Sequence, residues 1–293
     1  MTVLPATAEG RQELVDAFYW YHTIDFGDGV HSKGTVDHGA FFDRYGFPTM
    51  AGRTVLDVGC GDGYFAFTFE KLGAARVLAT DLDHWSNGAA FEAPPRTRAR
   101  RLQKLAPRAG EEDVVRRRGE IARALGLPDA NAFHLARALL KSSVELRYLS
   151  VYDLPSLGEQ FDVVFLGTVT THLTELPRAF EALRRVTRGQ AVVACASLLD
   201  FAELRGARRV AFHAIRVLRM LGRLEDHVPV ARELPVALYT ANEGGPIWRP
   251  SVSAVREMLL SSGFRDVNVH ARFVLPNLRH GTGMDHVVFH AWV

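Results

Sequence analysis

The sequence predicts an α/β fold with a parallel sheet at its centre, on three observations. From residue 54 onward, short apolar runs alternate with stretches of helical period. The first run, Thr54 to Val58, passes directly into a turn with glycine at 59, 61 and 63. Phe161 to Leu166 is continuously hydrophobic, as a strand covered on both faces must be.

The elements follow in order. Thr54 to Val58 is strand one, and its glycine turn opens a helix near Tyr64 that reaches Leu72 and stops at Gly73. Strand two is Arg76 to Thr80. Val144 to Leu149 and Phe161 to Leu166 are the next strands, and a helix from about Leu176 to Thr187 leads into Ala191 to Ala196. A helix capped by Ser251 and ended by Gly263 precedes Val267 to Val274 and Val287 to Val293, which read as an antiparallel pair at one edge.

The turn carries the chemistry. Alternating glycines let the chain bend tightly and bring backbone N–H groups close to a ligand. A dinucleotide site, G-x-G-x-x-G, needs a small residue where Tyr64 stands. Here Asp57 precedes Gly59, Gly61 and Gly63. An acid at the lip of the loop repels a pyrophosphate but suits the ammonium and sulfonium of S-adenosyl-L-methionine. Asp81, with Leu82 beside it, closes strand two, where a carboxylate accepts hydrogen bonds from two vicinal ribose hydroxyls. The expected fold is therefore the Rossmann-like seven-stranded sheet of class I methyltransferases, with helical cap insertions.

Bulk properties agree with an enzyme of one large domain. The 293 residues suffice for a full core, and a formal charge of +2 demands neither a nucleic-acid nor a membrane partner. There is no apolar run long enough to span a bilayer and no signal peptide, so the expectation is a cytoplasmic protein with Cys60 and Cys195 as free thiols. No cysteine or histidine spacing suggests a metal site.

The domain organisation reads as an N-terminal helix and lid segment over 1–53, then the cofactor-binding domain over 54–83 and 144–293. Two insertions interrupt it, at 84–143 and 198–247. The first begins with the basic run 94–101 and continues with helices over Glu112 to Gly126 and Asn131 to Lys141. The second holds an apolar stripe with basic punctuation over 207–218, which faces either the pocket or a second subunit in a homodimer. Both leave from carboxyl ends of strands, where open α/β sheets bind ligands, so both are expected to cap the acceptor pocket. Basic stretches of this kind are most simply solvated helix faces, with RNA phosphates or an acidic carrier protein as the other readings.

Trp20-Tyr21-His22-Thr23-Ile24-Asp25 with Gly29, Val30 and Gly34, followed by the glycine loop, Gly73-Ala74 and Asp81, resembles the methyltransferases related to the bacterial tRNA wobble-uridine carboxymethyltransferase. Phe161 to Phe165, His172, Trp248-Arg249-Pro250-Ser251 and Ser262-Gly263-Phe264 continue the likeness, which covers most of 18–83 and 144–274. The resemblance implies that the entry segment folds over the cofactor. It also implies an adenine-binding side chain after strand three, at Asp153, with Val151 or Tyr152 packed on the ring. The tRNA-modifying branch has Tyr-His-Arg where this chain has Thr171-His172-Leu173. Loss of the tyrosine and arginine removes partners for an extra carboxylate, whose unpaired burial is costly. Unmodified S-adenosylmethionine is thus expected.

Candidate site residues follow. His172, at the end of strand four, is the first candidate for the base that deprotonates the acceptor, and His22 in the entry segment is the second, either as a base or, with Tyr21, as a lid. Tyr21, Lys33, Asp57, Gly59, Gly61, Gly63, Asp81, Leu82, Asp153, Leu166 and Gly167 are the expected cofactor contacts, with Lys33 either on the methionine carboxylate or at the surface. The expected activity is methyl transfer to oxygen or nitrogen of a small-molecule acceptor in specialised metabolism, such as antibiotic biosynthesis. A tRNA modifier and a non-catalytic S-adenosylmethionine-binding partner are the alternatives.

Overall fold

The computed structural model describes residues 4–82, 111–196, 198, 235–239, 247–279, 281 and 283–293. The basic run 94–101 and the apolar stripe 207–218 lie outside the described residues. Seven strands form the central sheet: β3 (Thr54–Val58), β4 (Arg76–Asp81), β5 (Glu145–Tyr148), β6 (Phe161–Gly167), β7 (Thr187–Ala196), β10 (Asp266–Pro276) and β11 (Gly283–Trp292). Their order is β10-β11-β7-β6-β3-β4-β5. The five central and far strands are parallel, and β11 runs antiparallel to both β7 and β10. The chain moves outward from β3 to β4 and β5, then crosses back to β6 on the other side of β3. That reversal makes the carboxyl ends of β3 and β6 the crevice where such sheets bind ligands.

Alternation along the strands separates the sheet into two faces. Val55, Val77, Ala79, Val163, Phe165 and Val192 face a core completed by α1 (Ala8–Asp16), α2 (Tyr64–Lys71), α4 (Ala132–Leu140) and the entry segment. Leu56, Leu78, Val164, Leu166, Val193 and Phe289 face the opposite core, built by α5 (Leu176–Val186) and α6 (Val252–Ser261). Asn131 caps α4 by accepting from the Phe133 N–H, and Ser251 caps α6 by accepting from Ala254. Phe133 and Leu135 are fully buried, so α4 covers the sheet beside α2. Helix α3 (Glu111–Leu125) precedes it, tied to the entry segment by an Arg118 hydrogen bond to the Ala17 carbonyl.

The expected strands and helices of the described residues are present, with β7, β10 and β11 longer and β5 shorter than their apolar runs. Strand β7 begins at Thr187, four residues before its apolar run, because Gln190 continues the ladder to Val163 and Trp292 without an apolar side chain to advertise it. Strand β11 likewise begins at Gly283. Two short pairs had no signal in the apolar pattern: β1 (Asp25–Gly27) with β2 (Val30–His31), and β8 (Ala237–Tyr239) with β9 (Trp248–Pro250). Cys60 and Cys195 are free and buried. Among the described residues, no helix is long and apolar enough to cross a membrane.

Candidate active site

The glycine loop is built by what it excludes. Gly59, Gly61 and Gly63 all have positive φ, at 73°, 58° and 90°. A Cβ on Gly59 would sit 2.3 Å from Val169 Cγ2, and one on Gly63 would strike Phe67 and Phe133. The loop is anchored to β4, since the Gly59 and Cys60 N–H groups both donate to the Thr80 carbonyl, at 2.7 and 3.1 Å. Gly63 then takes the N-cap position of α2.

Three carboxylates converge on this loop. Asp57 follows Val55 on the α2 face and is 2 % exposed. Its Oδ2 has no hydrogen-bond partner among the described residues. Burial, then the charges of Asp81 and Asp62, push it up to about 8, against an opposing hydrogen bond from the Ala66 N–H. Asp81 Oδ2 accepts from the Gly61 N–H and Oδ1 from the Leu82 N–H, both at 2.7 Å. Burial raises its pKa despite these two donors, and Asp62 adds to the rise.

Asp62, which stands between Gly61 and Gly63 and is not among the residues expected at the site, joins the loop to the entry segment. Its Oδ2 accepts from the backbone N–H groups of Tyr21 at 2.8 Å and His22 at 2.9 Å, and Oδ1 pairs with His22 Nδ1. The His22 ring is stacked on Tyr64 at 5.5 Å and lies 5.1 Å from the ring of His38. His38 Nδ1 meets the Tyr45 hydroxyl at 3.0 Å. Burial, then the neighbouring His22 and His286, hold His38 well below the ordinary imidazole range. His286 in turn meets Thr168 Oγ1 at 3.2 Å, immediately after Gly167 at the end of β6. The imidazoles thus run from the glycine loop to the β6 edge. Nothing in the apolar periodicity pointed to His38 or His286. For Asp62 the signal was an acid placed inside the glycine loop.

The other expected residues divide. Leu166 is fully buried in the strand, and Gly167 sits at its end. Asp153 is exposed on the 3-10 segment Val151–Leu157 that follows β5, at the same sheet edge as Asp81. The Tyr152 hydroxyl accepts from the Thr174 and Glu175 N–H groups, and Arg178 covers its ring. Tyr21 is partly buried and its hydroxyl, pushed up to about 12 by burial, donates to Met284 Sδ. His172 is exposed in the 3-10 turn Val169–His172. Lys33 is not brought to the site. Alternation in the entry segment buries Ser32 and leaves Lys33 at the surface, paired with Asp16 at 3.3 Å.

The residues present fit a cationic nucleoside. Asp57 offers a buried acceptor without a donor, each Asp81 oxygen keeps capacity beyond its one backbone N–H, and three acids crowded together gain from a positive charge. Parallel strands reversing to an antiparallel pair at one edge, with these acids over a glycine loop at the switch point, are the architecture of a class I S-adenosylmethionine-dependent methyltransferase. The chain belongs to the methyltransferase-domain family, whose pattern matches residues 38–269.

Individual relatives match over shorter stretches. Over 61 residues, 20 % of this chain and 21 % of the relative, it is 46 % identical to the ribosomal protein L11 methyltransferase of Thermotoga maritima. Over 138 residues, 47 % of this chain and 33 % of the relative, it is 24 % identical to the tRNA U34 carboxymethyltransferase of Campylobacter hominis. The chain therefore spans about a fifth to a third of the length of these relatives. Among solved structures, the N-terminal domain of EvdMO1 in the presence of SAH and D-fucose has 13 % identity and a TM-score of 0.49, covering 99 % of this chain and 98 % of that one. Magnesium protoporphyrin IX methyltransferase from Synechocystis PCC 6803, with bound SAH, has 13 % identity and a TM-score of 0.40, covering 86 % and 78 %.

Proposed function

We propose that this protein transfers the methyl group of S-adenosylmethionine to oxygen or nitrogen of a small molecule. The convergence of Asp57, Asp62 and Asp81 on one glycine loop carries the cofactor half of this reading, because it is a site for positive charge. When bound, the cofactor supplies an activated methyl group, so the chain has to position the acceptor, exclude water and accept a proton. Positioning alone is worth about 7 to 11 kcal/mol of barrier. Asp81 is the residue for the ribose hydroxyls, Asp57 for the ammonium, and the Gly167 backbone for the methionine end.

The small-molecule half is supported by what surrounds the edge. The described stems of the second insertion lie against the turn that holds His172: the Ile247 N–H donates to the Thr171 carbonyl at 3.0 Å and Trp248 Nε1 to the Thr174 carbonyl at 2.9 Å. Three of the four arginines of α3 are engaged within the protein, Arg116 with Asp113 and Glu120, Arg118 with the Ala17 carbonyl and Arg123 with the Gly119 carbonyl. Guanidinium groups committed in this way are poorly disposed to track phosphates. The partial likeness to a tRNA carboxymethyltransferase favours RNA as the second reading.

Calorimetric titration with S-adenosylmethionine and with its carboxylated analogue, followed by S-adenosylhomocysteine release against a panel of hydroxyl and amine metabolites, tests this. Preference for the unmodified cofactor and turnover with a small acceptor are expected. Preference for the carboxylated cofactor, or turnover only with tRNA, would overturn the reading.

A further inference from the structure

We propose that Asp62 is a positioning residue that fixes His22 in the tautomer with a bare Nε2, and that this nitrogen takes the acceptor's proton during methyl transfer. The proposal rests on the methyltransferase reading above and deepens it.

The geometry has three parts. First, Asp62 commits both oxygens to one dipeptide: Oδ2 takes the Tyr21 and His22 backbone N–H groups, and Oδ1 takes the ring at Nδ1. A carboxylate is an acceptor only, so Nδ1 must carry the hydrogen, and in the neutral ring the lone pair falls on Nε2. Second, the ring has no freedom to turn. Tyr64 is stacked on one side, His38 lies against it and Phe65 meets it edge-on at 5.9 Å. Among the described residues no hydrogen-bond partner meets Nε2. Third, the pair belongs to the cofactor loop itself, with Asp62 between Gly61 and Gly63. His172, the other candidate base, is exposed, whereas His22 is 7 % exposed and held by a buried carboxylate.

In the transfer, the bond that forms joins the acceptor oxygen or nitrogen to the methyl carbon. The bond that breaks joins that carbon to sulfur, whose electron pair remains on the neutral thioether. The acceptor's proton passes to Nε2, and the resulting imidazolium is paired with Asp62 across Nδ1. Around the ring the other titratable groups are Tyr21 from its own segment, His38 beyond it, and Tyr64 from α2. His38 stays neutral at neutral pH and so does not oppose the imidazolium. Tyr64 and Tyr21 are both raised to about 12 and stay neutral as well.

Asp62→Asn is the discriminating variant. Its amide oxygen still accepts the two backbone N–H groups, while its NH₂ meets Nδ1 and forces the hydrogen onto Nε2. Nitrogen-15 NMR of the His22 imidazole in the free protein is expected to show bare Nε2 in the wild type and protonated Nε2 in the variant. Titration with S-adenosylmethionine is expected to weaken about threefold to tenfold, because one of the three loop acids loses its charge, and so by much less than turnover. Turnover with a reactive acceptor from the panel falls about 10²- to 10³-fold and recovers partly as pH rises. An Asp62 that acts only through the cofactor or the fold would instead weaken cofactor binding as much as turnover and leave the pH profile of kcat alone, and wild-type kcat in Asp62→Asn would equally overturn the proposal. If Asp62→Asn does not fold, His22→Gly is assayed with added imidazole: rescue of turnover supports the base, and a folded, cofactor-binding variant without rescue refutes it. Should the wild type accept no small molecule at all, the function proposed above fails, while the tautomer readout still decides the Asp62–His22 link.

Discussion

The two faces of the sheet are made from different materials. On the α5 and α6 face, Leu176, Phe180, Leu183, Val255 and Leu259 meet Leu56, Val164 and Val193. On the α2 face, aromatic rings pack against one another instead, with Tyr45, Phe47, Phe65 and Phe165 mutually within 4.5 to 6.0 Å. Every buried carboxylate and imidazole among the described residues also belongs to this second side. Alternation explains the separation, because Asp57, Asp81, His286 and His290 occupy strand positions of the same parity as Val55, Ala79 and Val288. One face stabilises the domain and the other holds its chemistry.

The largest effect that would sharpen this contrast is on the aliphatic side. Phe180→Ala removes a fully buried ring from α5 and is expected to cost about 3 to 5 kcal/mol in denaturant unfolding. Affinity for S-adenosylmethionine in the fraction that remains folded should be unchanged. A large loss of cofactor affinity in the folded variant would break the separation of roles.

Asp81→Ala is the reciprocal experiment. It removes the acceptor of two backbone N–H groups, at Gly61 and Leu82, together with the proposed ribose contact. The expected result is roughly a hundredfold weaker titration with the cofactor, or about 2.7 kcal/mol. Its unfolding free energy should fall by less than that of Phe180→Ala.

This division also explains what the sequence could reveal. Strands β3, β4 and β6 and the cap at Ser251 were legible because apolar periodicity and side-chain capping are local properties. The glycine loop, Asp57 and Asp81 were legible because their backbone geometry demands particular residue types at fixed spacing. Asp62's partnership with His22 spans forty positions, and His38 reaches the site through a 3-10 segment with no period to read. Lys33 shows the converse. Its charge suited the cofactor, but the two-residue alternation around Ser32 turned it to solvent.

Asp57→Asn separates binding from stability on the chemical face. A carboxyl held at about 8 keeps its proton in the free protein at neutral pH, and a bound ammonium and sulfonium favour its release. Cofactor affinity in the wild type should therefore rise with pH up to about 8 and level off above it. Calorimetry in buffers of different ionisation enthalpy should show proton release below that point. Asp57→Asn should bind about tenfold more weakly at pH 8 and lose the slope. For the free protein the sign is opposite. From about 4 to about 8 the unfolded chain gives up a proton that the fold retains, so stability falls as pH rises, and Asp57→Asn should have the higher Tm at pH 8.

The smallest effect lies at acid pH and comes from the same face. Burial lowers the pKa of His38, His286 and His290 from the ordinary 6.5. Above 6.5 both folded and unfolded states are neutral, and the stability is fully present. As pH falls below 6.5 the unfolded chain takes up protons that the fold refuses, so stability is lost progressively toward the lower folded values, by up to about 1.4 kcal/mol per pH unit for each imidazole. His38→Gln keeps a polar partner for the Tyr45 hydroxyl and removes one of these groups. Its Tm should fall less steeply than that of the wild type between pH 6.5 and about 5, with no difference in slope above pH 7. Equal slopes on the acid side would mean that the cluster relaxes and admits protons without loss of the fold. The α2 face would then be less rigidly packed than its aromatic contacts require, and the fixed orientation of His22 would lose one of its supports.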